Sequence, residues 1–252
     1  MSEVLALHET SVRLDGRLAL DRVSLTLGAG EVLGILGANG GGKTTLLRAA
    51  LGLVRLEGGA ACLAGQPLSS LNAARRAALA AYLPQDRRVG WNLPAWSVAA
   101  LGLPNLNPSR ARGRAMSALA EVGLTALAER GILDMSGGER ARVLLARLIV
   151  TGAPLLVADE PAAGLDPDAQ FQVMEVLRSR AALGAAVMVS LHDLTLAARS
   201  CDRLAILASG RLIALGPPAT ALTPQVLKTA FGLDGQLITS DFGALIAARR
   251  CA

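Results

Sequence analysis

The stretch Gly37 to Thr45, reading GANGGGKTT, constrains this chain more than any other. An apolar run, Val32 to Leu36, precedes it, and Leu46 to Leu51 follows with helical spacing. Strand, glycine-rich turn and helix is the context of a phosphate-binding loop. Glycines such as Gly37, Gly40 and Gly42 let backbone N–H groups turn inward without a Cβ in the way. The helix that opens after them points its unpaired amides at an anion. On this reading Gly37, Asn39, Gly40, Gly42 and Thr45 cradle nucleotide phosphates and Lys43 reaches the β- and γ-phosphates. The Thr44 hydroxyl then ligates Mg²⁺. A glycine-rich turn with a lysine nearby by chance is the plainer reading, and the flanking strand and helix argue against it.

With 252 residues the chain can bury a sizeable core. Mean hydropathy is +0.44 and apolar residues make up 52%, so a membrane span has to be considered. The uncharged run Val89 to Ser109 carries Pro94, Pro104, Pro108, Asn92, Asn105 and Asn107, which a lipid-exposed helix tolerates poorly. No transmembrane helix is expected. The N-terminus, with Glu3, His8 and Glu9, lacks the basic-then-apolar pattern of a signal peptide, so a cytosolic location is expected. Cys62, Cys201 and Cys251 have no metal-type spacing and read as reduced thiols. The net charge of +5 is spread over scattered arginine pairs at 75–76, 87–88 and 249–250 rather than massed in a stripe. That distribution, with few aromatics, reads as a solvated surface and not a nucleic-acid site.

Short strands are expected over 4–7, 11–14 and 23–27, with a turn at Asp15-Gly16, and another over 60–63. A helix is expected over 72–80, then a strand-like run into Pro84-Gln85. Residues 86–150 read as a helical insertion without strands, with helices over 110–122 and 139–150. Continuous apolar runs at 155–158 and 186–190 predict strands buried on both faces, with a helix over 168–182 between them. A hairpin is expected over 204–215 about Ser209-Gly210. The last clear helix begins at Thr223-Pro224, with Thr as N-cap and Pro at N1.

The run Leu155 to Ala158 ends in Asp159 and Glu160, and acids at the end of a buried strand need a cation or donors. With a phosphate-binding loop in the same chain, Asp159 reads as the Mg²⁺ partner beside Thr44, and Glu160 as the base that polarises the attacking water. Met135-Ser136-Gly137-Gly138-Glu139 is a capping box on sequence, and its helix start is a second anion site. It also resembles the signature sequence of ABC-type ATPases, usually LSGGQ or LSGGE.

The resemblance extends over essentially the whole chain. Gln85, after Tyr82-Leu83-Pro84, resembles the Q-loop glutamine, which senses Mg²⁺ and the attacking water. Ala163-Gly164-Leu165-Asp166-Pro167 resembles the D-loop, and His192 the switch histidine on the γ-phosphate. The implied fold is an α/β P-loop NTPase (RecA-like) core with an N-terminal antiparallel β subdomain and an inserted α-helical subdomain. That is one ABC ATPase domain over 1–252, with residues 1–85 and 151–252 forming core and β subdomain and 86–150 the helical signature subdomain. The implied cofactors are ATP and Mg²⁺. In such a family Ser136, Gly137, Gly138 and Asp166 face nucleotide across a dimer of two copies.

Departures from the family pattern are Leu14, where an adenine-stacking aromatic commonly stands, Gly41 for Ala, Thr44 for Ser and Met135 for Leu. Three readings fit the resemblance: an importer's ATPase subunit, an ABC protein acting on nucleic acid or ribosomes, and a scaffold without turnover. The absence of tandem cassettes or coiled insertions disfavours the second, and Glu160 and His192 disfavour the third. No room is expected after His192 for the regulatory domain of sugar-type importers. Residues 190–203, 210–218 and the helix from Thr223-Pro224 to Phe231-Gly232 resemble ATPases serving uptake of iron–siderophore, haem or vitamin B12. The implied partners are a transmembrane permease and, indirectly, a substrate-binding protein, with the chain peripheral at the cytoplasmic face of the membrane. Within Val89–Ser109, Trp91 and Trp96 mark the expected docking surface for a permease helix, a core role being the alternative for both.

Overall fold

Alternation along the N-terminal strands and continuous apolar runs in the later ones separate into two sheets in the computed structural model, which describes residues 2–86 and 88–251. Arg87, one of the arginines at 87–88, lies outside the described residues. β1 (Glu3–Leu14) and β2 (Arg17–Gly28) form a hairpin about Asp15-Gly16, both at positive φ. The expected separate strands over 4–7 and 11–14 are one strand. It kinks at Glu9 (φ 44°) and shifts register there, which the sequence shows only as a break in alternation.

β3 (Val32–Gly37) enters the central sheet and leads into α1 (Lys43–Ala50). β4 (Gly58–Leu63) and β5 (Gln66–Pro67) return to the first sheet, whose order is β2-β1-β4-β5. α2 (Ala73–Leu79), capped by Asn72, precedes β6 (Ala80–Leu83). Three helices follow: α3 (Ala95–Ala100), α4 (Pro108–Glu121) and α5 (Gly137–Ile149). α3 was not expected in the uncharged run. Among the described residues, 88–150 carry no strand beyond one isolated bridge, Pro94 to Gly131.

The central sheet is completed by β7 (Leu155–Asp159), α6 (Pro167–Ala182), β8 (Ala186–Ser190), α7 (Leu194–Ser200), β9 (Arg203–Ala208) and β10 (Arg211–Gly216). Its order is β10-β9-β3-β8-β7-β6, parallel throughout except for the β9–β10 hairpin. Side chains alternate across it, so one run feeds two cores. Val32, Leu156, Val187 and Ile206 face a core shared with α3 to α7, while Leu33, Val157, Met188 and Leu207 face one shared with α1 and the first sheet. Burying each such leucine or valine contributes about 1.5–3 kcal/mol.

α8 (Pro218–Ala221) and α9 (Pro224–Phe231) follow, the latter with Thr223 as N-cap, as its sequence requires. The chain then forms a hairpin that the sequence reading missed, β11 (Leu233–Ser240) with β12 (Gly243–Arg250). It lies on α7, where Arg199 Nε donates to Ala244 O (2.6 Å) and Ile246 N–H donates to Thr195 Oγ1 (3.1 Å).

Candidate active site at the carboxyl edge of the central sheet

Four neighbouring parallel strands deliver polar residues to one edge. β3 ends in the glycine loop, β6 runs on to Gln85, β7 ends in Asp159 and leads to Glu160, and β8 ends in Ser190 two residues before His192. The carboxyl edge of an open α/β sheet is where such folds bind ligands.

The glycine loop is shaped by contacts that exclude other residues. A Cβ at Gly37 would lie 2.4 Å from Leu207 O, and one at Gly42 (φ +102°) would lie 2.8 Å from Ala19 O. The β9–β10 turn clasps the loop, because Gly210 N–H donates to Gly41 O (3.2 Å) and Asp21 N–H to Gly210 O (2.9 Å). Gly42 caps α1 by backbone alone, with no side-chain cap and no acid in the first turn, so the helix's first amides face outward for an anion. Asn39 and Gly40 are exposed on the loop, and Thr44 and Thr45 open the helix. Lys43 is buried, and its Nζ donates to Gly37 O (2.9 Å) and Ala38 O (3.4 Å). Burial lowers its pKa, partly offset by the negative charges of Glu160 and Asp159. The ammonium is thus held over the loop by backbone carbonyls, within the field of both acids.

Asp159 is 0% exposed. Its Oδ1 accepts from Ser190 Oγ (2.6 Å) and its Oδ2 from Tyr82 OH (3.4 Å), the chain's single tyrosine. Burial first, then the Asp159 charge, push the Tyr82 pKa up, so the phenol keeps its proton and acts as donor. Glu160 stands in left-handed backbone conformation (φ 53°), with Oε1 2.5 Å from His192 Nε2 and Oε2 accepting from Gln85 Nε2 (2.8 Å). The three residues named as catalytic from sequence therefore meet on one carboxylate. Beside them a cavity of about 270 Å³ is lined by Glu160, Gly164, Gln170 and His192. The oxygen donors Thr44, Gln85 and Asp159 suit a hard divalent cation held partly through phosphates. Among the described residues no three His, Cys, Asp or Glu side chains group as a metal site by themselves.

The remaining expected residues stand apart from this cluster in their contacts. Ser136 Oγ accepts from Glu139 N–H (3.2 Å) and Ser136 N–H donates to Glu139 Oε2 (2.7 Å), the capping box read from sequence. Gly137 and Gly138 lie in the first turn of α5. Asp166 caps α6, its Oδ1 accepting from Ala169 N–H (2.9 Å). Leu14 is 41% exposed at the end of β1. Trp91 is 75% exposed, so the core alternative does not hold for it. Trp96 takes the core alternative: it is half-buried against the core, its Nε1 donates to Glu129 Oε2 (3.0 Å), and Arg112 stacks 4.8 Å from its ring. Ser190 and Tyr82 were not singled out as site residues. A polar residue closing an otherwise apolar strand was the signal for Ser190, and the chain's single tyrosine within a short apolar strand the signal for Tyr82.

Residues 20–163 match a family profile described as ABC transporter. A hemin import ATP-binding protein from Bordetella bronchiseptica is 40% identical over 235 residues, covering 88% of this chain and 90% of that one. A cobalamin import ATP-binding protein from Halobacterium salinarum is 37% identical over 225 residues, covering 87% of this chain and 56% of the relative. A solved ABC transporter assigned to the metal-chelate type, in an inward-facing conformation, superposes with a TM-score of 0.84 over 99% of this chain and 98% of its own; at 23% identity it speaks for the fold.

Proposed function

Because the chain belongs to the ABC transporter family, its ATP-binding and ATP-hydrolysing members, we propose that it powers a metal-chelate importer whose cargo is haem, a corrinoid or an iron chelate. The observation that carries the ATPase part is the meeting of Gln85 and His192 on Glu160, at the sheet edge that also holds Lys43 and Asp159. The cargo part is supported by the names of the relatives.

In this reading the loop from Gly37 to Thr45 holds the phosphates through backbone amides, and Lys43 moves from its carbonyl partners to the β- and γ-phosphates. Thr44 and Asp159, with Gln85, would hold Mg²⁺, which would supply positive charge to offset that of the phosphates. Glu160 orients the attacking water and accepts its proton, while His192 contacts the γ-phosphate. The partner's Ser136, Gly137 and Gly138 complete the site, with Asp166 at the interface. ATP favours the closed pair of chains and hydrolysis releases it.

Residues 86–150 act as the helical subdomain that passes this closure to a permease, on a core built from 1–85 and 151–252. Trp91, on the exposed part of the uncharged run, is the docking residue for a permease helix. No helix among the described residues is long and apolar enough to cross a membrane, and the chain is held at the cytoplasmic face through that permease. Reconstitution with a permease tests the cargo. ATP turnover is expected to rise when a binding protein loaded with haem, a corrinoid or an iron chelate is added. Stimulation by a sugar, an amino acid, DNA or ribosomes instead would overturn the assignment.

A further inference from the structure

β7 and β8 are parallel neighbours, and their register sets Ser190 beside Asp159. The Ser190 side chain is wholly buried, and its hydroxyl makes two hydrogen bonds of opposite sense. It donates to Asp159 Oδ1 (2.6 Å) and accepts from the backbone N–H of Glu160 (2.8 Å). A hydroxyl is the smallest neutral side-chain group able to do both at once.

The second bond falls where the backbone needs it. β7 ends at Asp159, and Glu160 turns into the left-handed region that side-chain-bearing residues seldom adopt. Such a conformation persists when its surroundings over-determine it. Ser190 supplies one of those constraints from a fixed position, because it pairs with Ile35 in β3 and the next residue, Leu191, donates its N–H to Ile35 O (3.1 Å).

Resting on the reading of Asp159 and Glu160 as the acids of the ATPase site, we propose that Ser190 is the positioning residue for both. It turns the Asp159 carboxylate and fixes the Glu160 peptide, so that metal ligand and water-orienting base keep one relative geometry. Ser190 touches neither nucleotide nor water in this role; it acts through the two acids. A merely structural serine would satisfy its own hydroxyl and leave turnover and metal affinity unmoved when replaced.

The test uses the purified full-length chain and three readouts: steady-state ATPase, fluorescent-ATP binding without divalent metal, and Mn²⁺ affinity by electron paramagnetic resonance with ADP bound. Removing one partner of a buried hydrogen-bonded pair should lower kcat in Ser190→Ala by about 10- to 100-fold and weaken Mn²⁺ binding about 10-fold. Metal-free nucleotide binding should stay within about 2-fold, since the glycine loop supplies it. Ser190→Thr, which keeps the hydroxyl, should restore kcat and Mn²⁺ affinity to within about 3-fold of the parent. If Ser190→Ala does not fold, Ser190→Cys, similar in size with a weaker donor, takes its place with the same expectations. Parental kcat and Mn²⁺ affinity in Ser190→Ala, or equal losses in the Thr and Ala variants, would overturn the role. Failure of the underlying ATPase reading would show separately, as full turnover in Lys43→Ala.

Discussion

The two helix starts that the proposed function assigns to phosphate are built differently. At α1 the glycines are needed by the chain itself, since a side chain at Gly37 or Gly42 would run into the backbone of Leu207 or Ala19. At α5 an added Cβ on Gly137 or Gly138 would meet nothing within 4 Å, and neither residue has positive φ. α1 opens without a side-chain cap and keeps a buried lysine beside its first turn. α5 is already closed by its own Ser136–Glu139 box, with the Glu139 pKa lowered mainly by the Ser136 backbone N–H. The loop before α1 is therefore shaped by contacts within one molecule. No contact among the described residues requires glycine at the α5 start, and the proposed function places the partner's nucleotide there.

Lys43→Ala should break the comparison outright. It removes the ammonium from the self-contained half of the site, and MgATP turnover of the purified variant should fall to background. Glu160→Gln is the counterpart that keeps the half-site intact: it should bind ATP and elute as a persistent dimer in size-exclusion chromatography while turnover falls by a factor of about 100 or more. Undiminished hydrolysis in Lys43→Ala would remove the loop from the chemistry.

The glycines sharpen it next. Gly138→Ala should leave thermal stability unchanged or raised by about 0.4–1 kcal/mol, because alanine fits an open helical position. ATP-dependent dimerisation and turnover should nevertheless drop. Gly42→Ala should destabilise the fold itself, since the left-handed conformation and the Ala19 carbonyl both oppose a methyl group. Calorimetry beside ATPase assays separates the two, and a stability loss in Gly138→Ala with no loss of turnover would reverse the contrast. The smallest effect belongs to Leu14. If base stacking is weak there, ATP and GTP should be hydrolysed with similar efficiency, and Leu14→Tyr should tighten ATP by about 0.5–1.5 kcal/mol. A marked ATP preference in the parent, seen in competition binding, would place the base on another surface.

Where the sequence was legible, the causes were local. The capping box at Ser136, the cap at Thr223 and the turn at Asp15-Gly16 are short-range hydrogen bonds and backbone preferences written in adjacent residues. The parallel strands were legible because burial on both faces leaves an unbroken apolar run. The β11–β12 hairpin was not: burial alternates along β11, but Gly235 stands between Leu233 and Leu237 on the covered side, and β12 is half-buried over its first half and exposed over its second, so no period-2 apolar run is written in the sequence. For Trp96 the sequence left docking and core roles open, because its partial burial depends on Arg112 and Glu129, from α4 and a later turn.

The sequence by itself determined the glycine loop with its single lysine, the acids closing a buried strand, and the order of motifs that marks the family. Each is a contiguous string whose chemistry needs no distant partner. Tertiary structure alone decided that Gln85 and His192 reach the same carboxylate, that Ser190 joins Asp159 to Glu160, and that Lys43 faces both acids. Those residues arrive on strands that are neighbours in space because parallel pairing needs a crossover between them, which puts tens of residues of chain between each pair that meets.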